Sequence, residues 1–155
     1  MFREMRRNAT QISDEECIKI LNEAKRGVLA VFGDEDYPYT VPLNFVYSDG
    51  HIYFHSAQAG HKLDAVRRHD KVSFCVLNDG VREENDWWYH FTSVIVFGRI
   101  TEIVSEEEKD RYLRLLGRKY FPSEEYLEKE MQAAPVTAVL DLKIEHMTGK
   151  AVREK

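Results

Sequence analysis

His55, Ser56, His61 and Lys62 fall inside one short stretch, "YFHSAQAGHKLDAVRRH" (residues 53–69). Tyr53-Phe54-His55 has strand character, small residues then form a turn, and His61 and Lys62 open a helix. A helix N-terminus reached in this way suits an anion. Its first N–H groups have no intrahelical acceptor, and the positive end of the helix dipole points toward the same place. A lysine there adds a charged donor, and an imidazole adds a second when protonated, so the grip is expected to weaken above neutral pH. An ordinary strand–helix connection with a solvated lysine fits the same residues.

Two more features could work with this one. "YTVPLNFVY" (residues 39–47) reads as a strand, yet Pro42 sits in its middle. Proline removes a ladder donor and is confined to edges, bulges or interruptions. One reading is a plain edge strand. The other is that pairing stops there and leaves the backbone groups of Leu43, Asn44 and Phe45 free for a flat heteroaromatic ring. Further on, Ser93 places a hydroxyl beside Val94 in a long apolar strand, where a lone serine usually bonds its own backbone.

The elements that must hold these residues are legible from periodicity. Ser13 and Glu16 form a capping box with Ile12 placed to staple on Cys17, and a helix over 14–26 should end at Gly27. Strands are expected at 28–32, 39–47, 51–55, 71–77, 88–104 and 136–146, with the Asp49-Gly50 hairpin turn and a bulge at Gly98. A short helix carrying Leu63 and Val66 follows the opening stretch. Ser105 and Glu108 make a second capping box for an amphipathic helix stopped near Gly117, and Ser123 opens another through about Ala133. Hairpins and short turns dominate and a βαβ crossover pattern is absent. The expected fold is α+β, mainly β: one antiparallel barrel with peripheral helices, in a single domain spanning 1–155.

The 155 residues carry 43% hydrophobic side chains and a net charge of −5. That charge, with its basic residues scattered, argues against a nucleic-acid partner. No segment has the length of a membrane span, and the basic, polar N-terminus has no signal-peptide core, so the expected location is the cytoplasm. Cys17 and Cys75 read as reduced core residues. Six histidines invite a metal reading. However, neither His51/His55 nor His55/His61 has helical ligand spacing, and Cys-x-x-Cys and His-Glu-x-x-His are missing, so no metal is expected. The Trp87-Trp88-Tyr89 cluster reads as a cover for a barrel end or a dimer contact.

Taken together, "YPYTVPLNFVYSDGHIYFHSAQAGHKLDAVRRHDKVSF", then "SVIVFG", then "HMTGK" resemble the pyridoxamine 5′-phosphate oxidase-like flavin-binding split barrels, closest to the nitroimidazole-resistance group. The resemblance runs from about Thr10 to Lys150. It implies a six-stranded split β-barrel that forms a homodimer with FMN at the subunit interface. By position it places the FMN phosphate on Ser56, His61 and Lys62, with His55 beside it. The ring edge would lie along Pro42, Leu43, Asn44 and Phe45, with Ser93 and Val94 on a neighbouring strand and Gly149-Lys150 approaching from the C-terminal side. It also implies a flavin-dependent oxidoreductase acting on small electrophiles such as nitroimidazoles, with His55 a candidate to reach the substrate. The alternative is a non-catalytic flavin- or haem-binding protein on the same barrel. The chain departs from the oxidases proper in having His61-Lys62 where they use an arginine-lysine pair. It also lacks their C-terminal tryptophan- and arginine-containing substrate segment.

Overall fold

The structure, a computed structural model, describes residues 1–152. In chain order the elements are β1 (Gln11–Ile12), α1 (Asp14–Glu23), β2 (Gly27–Phe32), β3 (Pro38–Leu43), β4 (Val46–Ser48), β5 (His51–Ala57) and α2 (His61–Arg68). There follow β6 (Lys71–Leu77), β7 (Phe91–Glu102), α3 (Glu106–Tyr120), α4 (Glu124–Glu130) and β8 (Thr137–Val152), the last entered through a 3₁₀ turn, Met131–Val136. Every strand pair is antiparallel. The order across the sheet is β3-β2-β6-β7-β8-β5-β4, with β1 added on β8. The strands at its two ends, β3 and β4, are consecutive in the chain, so the sheet curls back on itself without closing. This is a split barrel of the α+β class.

Six expected strands become eight because 39–47 divides at Asn44-Phe45 and a two-residue β1 is added. The Asp49-Gly50 turn forms as expected, with φ of 48° and 82°, the left-handed pair that a tight hairpin requires. Gly98 sits at the register shift in β7, where a Cβ would lie 2.1 Å from the Lys143 carbonyl oxygen. Three helix ends differ from expectation; α4 stops at Glu130 and passes into the 3₁₀ turn instead of running to about Ala133. α1 stops at Glu23, and Gly27 belongs to β2, where the Phe74 ring lies over its Cα and leaves no room for a side chain. α3 runs through Gly117 to Tyr120, because that glycine is a packing site for Leu127 of α4 rather than a terminator. Both glycines were read as stop signals, and both serve close approach instead.

Leu29, Val31, Ile52, Phe54, Phe74, Val76, Val94 and Leu140 fill the barrel, which α1 plugs with Cys17 and Leu21 and α2 with Leu63 and Val66. Alternation along β2, β6 and β7 puts these side chains inward and their neighbours outward. Burial, reinforced by Asp14 and Glu16, pushes the Cys17 thiol up to about 11, in keeping with an unreactive core cysteine. A second cluster lies outside the barrel. There Tyr53 of β5 stacks on Tyr112 of α3 at 3.7 Å, and Val46 and Leu116 pack beside them. α3 therefore covers β4 and the Tyr53 face of β5. Among the described residues no helix is long and apolar enough to cross a membrane.

Candidate functional site

The N-terminus of α2 is built differently from the other helix starts. α1, α3 and α4 are capped by the Ser13, Ser105 and Ser123 hydroxyls. α2 has Gly60 at that position, with φ of 125° and no side-chain cap, and nothing lies within 4 Å of where its Cβ would be. Its first N–H groups therefore have no side-chain acceptor. Lys62 is half-buried beside them, and among the described residues no carboxylate lies within ion-pair distance of it. Burial lowers its pKa. His55 of β5 is close enough to feel that charge: its pKa is lowered by burial first and by Lys62 second, so the ring is neutral at physiological pH. Ser56 follows in the same strand. The strand end and the helix start that the sequence paired are thus adjacent in space.

His61 is tied in a second direction. Its ring stacks on Tyr39 at 4.1 Å, and Nε2 lies 3.3 Å from the Asp34 N–H as acceptor. Arg68, two turns along the same face of α2, pairs with the same Asp34 at 2.7 Å. The β2–β3 turn thereby pins α2 at two points and fixes where its N-terminus aims.

The strand interruption differs from the sequence expectation in where it falls. Pro42 lies in β3, an edge strand paired only with β2, and the break comes two residues later. Proline cannot donate, so the ladder to β2 is carried by Tyr39, Val41 and Leu43, leaving Thr40, Pro42 and Asn44 aimed at the open edge. Phe45 is not free either. Its N–H donates to the Tyr120 hydroxyl at 2.8 Å, and that hydroxyl lies 2.8 Å from the Phe45 and Lys25 carbonyl oxygens. Of the three residues expected to present free backbone, only Asn44 does. β4 pairs Val46 with Tyr53, and that register carried two residues further sets Asn44 opposite His55. Both line one cleft, described below.

Ser93, Val94, Gly149 and Lys150 form a separate group. Ser93 pairs with Lys150, and Val94, fully buried, pairs with Gly149. Ser93 and Val94 lie three strands across the sheet from β3, and Gly149 and Lys150 four. Along β8, Lys150 is about 40 Å from Ala138, the partner of Ser56, at about 3.3 Å per residue. One copy of the chain does not bring the two groups together. Trp87, 75% exposed, stacks on Trp88 at 4.1 Å in the loop before β7.

Tyr120 and its neighbour Lys119 gave no signal in the sequence beyond an amphipathic helix end. Lys119 lies 4.0 Å over the Phe45 ring and donates to the Leu21 carbonyl at 3.3 Å. Burial, with Lys25 adding repulsion, lowers its pKa to about 8. Below pH 8 both the folded and unfolded chains hold this proton, and the cost of burying the charge is fully present. Between about 8 and the usual lysine value of about 10.4 only the unfolded chain holds it, so this group makes stability rise with pH. The raised Cys17 pulls the opposite way above its unfolded value. The test is therefore a comparison at each pH: whatever Lys119→Met gains over wild type in urea midpoint near pH 7 should shrink by pH 10. A constant difference would show that burial does not govern this lysine.

The family model described as pyridoxamine 5′-phosphate oxidase matches residues 13–151. No curated protein matches the sequence. Among solved structures, a candidate 5-nitroimidazole antibiotic resistance protein from Bacteroides thetaiotaomicron superposes with a TM-score of 0.75 at 23% identity, over 91% of this chain and 86% of that one. A FAD-binding protein from Mesorhizobium loti gives 0.67 at 27% identity, over 92% and 97%. A FAD- and haem-binding protein from Mycobacterium smegmatis gives 0.78 at 20% identity, over 94% and 74%.

Proposed function

The chain belongs to the pyridoxamine 5′-phosphate oxidase family, and we propose that it is a flavoprotein that holds FMN and serves as an oxidoreductase for small electrophiles such as nitroimidazoles. The observation that carries this reading is Lys62: a half-buried cation with no carboxylate partner among the described residues, in the first turn of a helix whose start has no side-chain cap. A desolvated, unpaired charge is costly unless an anion completes it. The phosphate of FMN meets that requirement, and Ser56 and the free ring nitrogen of His61 stand within the same turn. Bound there, the flavin would supply two-electron transfer to a substrate beside it. The open edge at Pro42 and Asn44 offers backbone acceptors and a donor to the ring, and Tyr120 fixes that edge by holding Phe45.

The site is completed by a second copy. Within one copy Lys150 lies far along β8 from the partner of Ser56, so a second chain would supply Ser93, Val94 and Lys150 to the same flavin. A suitable surface exists: Pro42, Val28, Cys75 and Ile95 lie in one cross-strand row on the outer face, and Phe32, Leu77 and Phe97 extend it. Val28, Phe32, Leu77, Ile95 and Phe97 are 36–60% exposed, an apolar patch that a single chain leaves in water. In sedimentation, wild type should run as a dimer. Ile95→Glu should run as a monomer and lose its flavin, because both events depend on one interface. A monomeric wild type that retains flavin would refute the shared site.

The function itself is tested by an absorption spectrum after incubation with FMN, or separately FAD, followed by desalting. FMN bands that bleach with NAD(P)H and return on adding a nitroimidazole support the reading. Flavin that no nicotinamide reduces would favour the non-catalytic alternative.

A further inference from the structure

On the outer face of the barrel, past the end of the α3 cover, lies a cleft of about 250 Å³. Its floor is Asn44 and His55, the pair at the strand break. Leu113, Leu116 and Phe121 of the α3 segment form one wall, and Met131, Ala133 and Ala134 of the 3₁₀ turn form the other. The sequence marked Asn44 and His55 on its floor but not its walls, which come from segments that read as ordinary amphipathic packing.

We propose that this cleft is the substrate subsite, and that it takes a small, planar, uncharged molecule with one hydrogen-bonding edge and refuses phosphorylated ones. The proposal rests on the flavin reading for its role in a reaction, but the binding it asserts does not. Its size is below the roughly 300–1,000 Å³ of pockets for drug-sized ligands, so a single small ring is the natural occupant. Its lining is apolar apart from Asn44, His55, Tyr120 and Thr137, which supply the polar edge, and Glu130, which is the only charged side chain among its lining residues. No lysine or arginine lines it, so an anionic group would be desolvated without a counter-charge. His55 both lines the cleft and feels the charge of Lys62, which is already assigned to the cofactor phosphate. Its neutral ring can read one donor or acceptor on the occupant.

The wall is also tied to the phosphate turn. Gln58, between Ser56 and α2, donates through Nε2 to the Pro135 carbonyl at 2.8 Å, and the Thr137 hydroxyl donates to the Ala133 carbonyl at 2.8 Å. The cleft wall is thereby anchored to the turn that is proposed to grip the cofactor.

The experiment is a titration of 2-methyl-5-nitroimidazole and of pyridoxamine 5′-phosphate, followed by NMR, on flavin-free and FMN-loaded protein. Wild type, Ala134→Phe and Ala133→Phe are compared; the second is the exposed position, which tolerates a larger side chain if the first fails to fold. The expected result is that the uncharged ring binds wild type and is weakened at least tenfold by either phenylalanine, with FMN affinity unchanged. On FMN-loaded protein the phosphate ester should bind at least tenfold more weakly than the uncharged ring. Unchanged nitroimidazole binding in a folded variant overturns the subsite. Loss of FMN along with the ring would also overturn it, because the cleft would then belong to the flavin. If wild type retains no FMN, the flavin reading fails by itself, and the flavin-free titration still decides the cleft by the same tenfold criterion.

Discussion

Lys62→Ala will lower FMN affinity by about ten- to a hundredfold while leaving the flavin-free protein as stable as wild type. Micromolar FMN requires about 8 kcal/mol. One hydrogen bond to a charged group contributes about 1.5–3 kcal/mol. The rest must come from the α2 N–H groups, Ser56 and burial of the ring. Losing one such contact therefore weakens binding without abolishing it, and a fluorescence titration of FMN resolves the change. The stability half of the prediction separates a ligand-binding lysine from a structural one. Burial opposes the Lys62 charge, so alanine relieves a cost in the flavin-free protein instead of breaking a bond. Equal FMN affinity in the two proteins would leave the turn an ordinary connection. A large drop in urea midpoint would make Lys62 part of the scaffold.

Tyr120→Phe is expected to cost about 2–4 kcal/mol of folding stability, a fall of roughly 5–15 °C in Tm for a chain of this size. The phenol closes the seam between β3 and β4, where ladder pairing cannot reach. It accepts from the Phe45 N–H and faces the Phe45 and Lys25 carbonyls, each at 2.8 Å. Phe45 is fully buried, so removing one hydroxyl strands a donor and an acceptor where water has poor access. The ring volume is kept, so the loss reports hydrogen bonding rather than a cavity. A Tm within about 1 °C of wild type would mean that water replaces the phenol and the seam is not held by it. Because the same residue fixes Asn44 and Phe45 beside His55, FMN affinity should fall with stability.

Local signals carried far in this chain. The Ser13–Glu16 box forms with both of its hydrogen bonds. β6 begins and ends at the residues expected, and the Asp49-Gly50 turn and the Gly98 bulge lie where their residue types put them. These features depend on neighbours a few positions away, and short-range sterics and capping chemistry settle them. The approach of His55 and Ser56 to the start of α2 was legible for the same reason, since strand, turn and helix start are contiguous from His55 to Lys62. Gly27 and Gly117 misled because a glycine that ends a helix and one that admits Phe74 or Leu127 look alike in a string of letters.

Sequence alone determined the elements, the antiparallel class and the strand–turn–helix connection from His55 to Lys62, because each follows from periodicity or capping within a window of a few residues. Tertiary structure decided which backbone at the strand break is open. Tyr120 arrives 75 residues along the chain to occupy Phe45, leaving Asn44 at the edge. It also decided that Ser93 and Lys150 stand apart from His55 in one copy, and that helices α3 and α4 leave a cleft over that histidine. Those outcomes depend on long-range packing of side chains whose types are ordinary, and no local pattern encodes where such side chains meet.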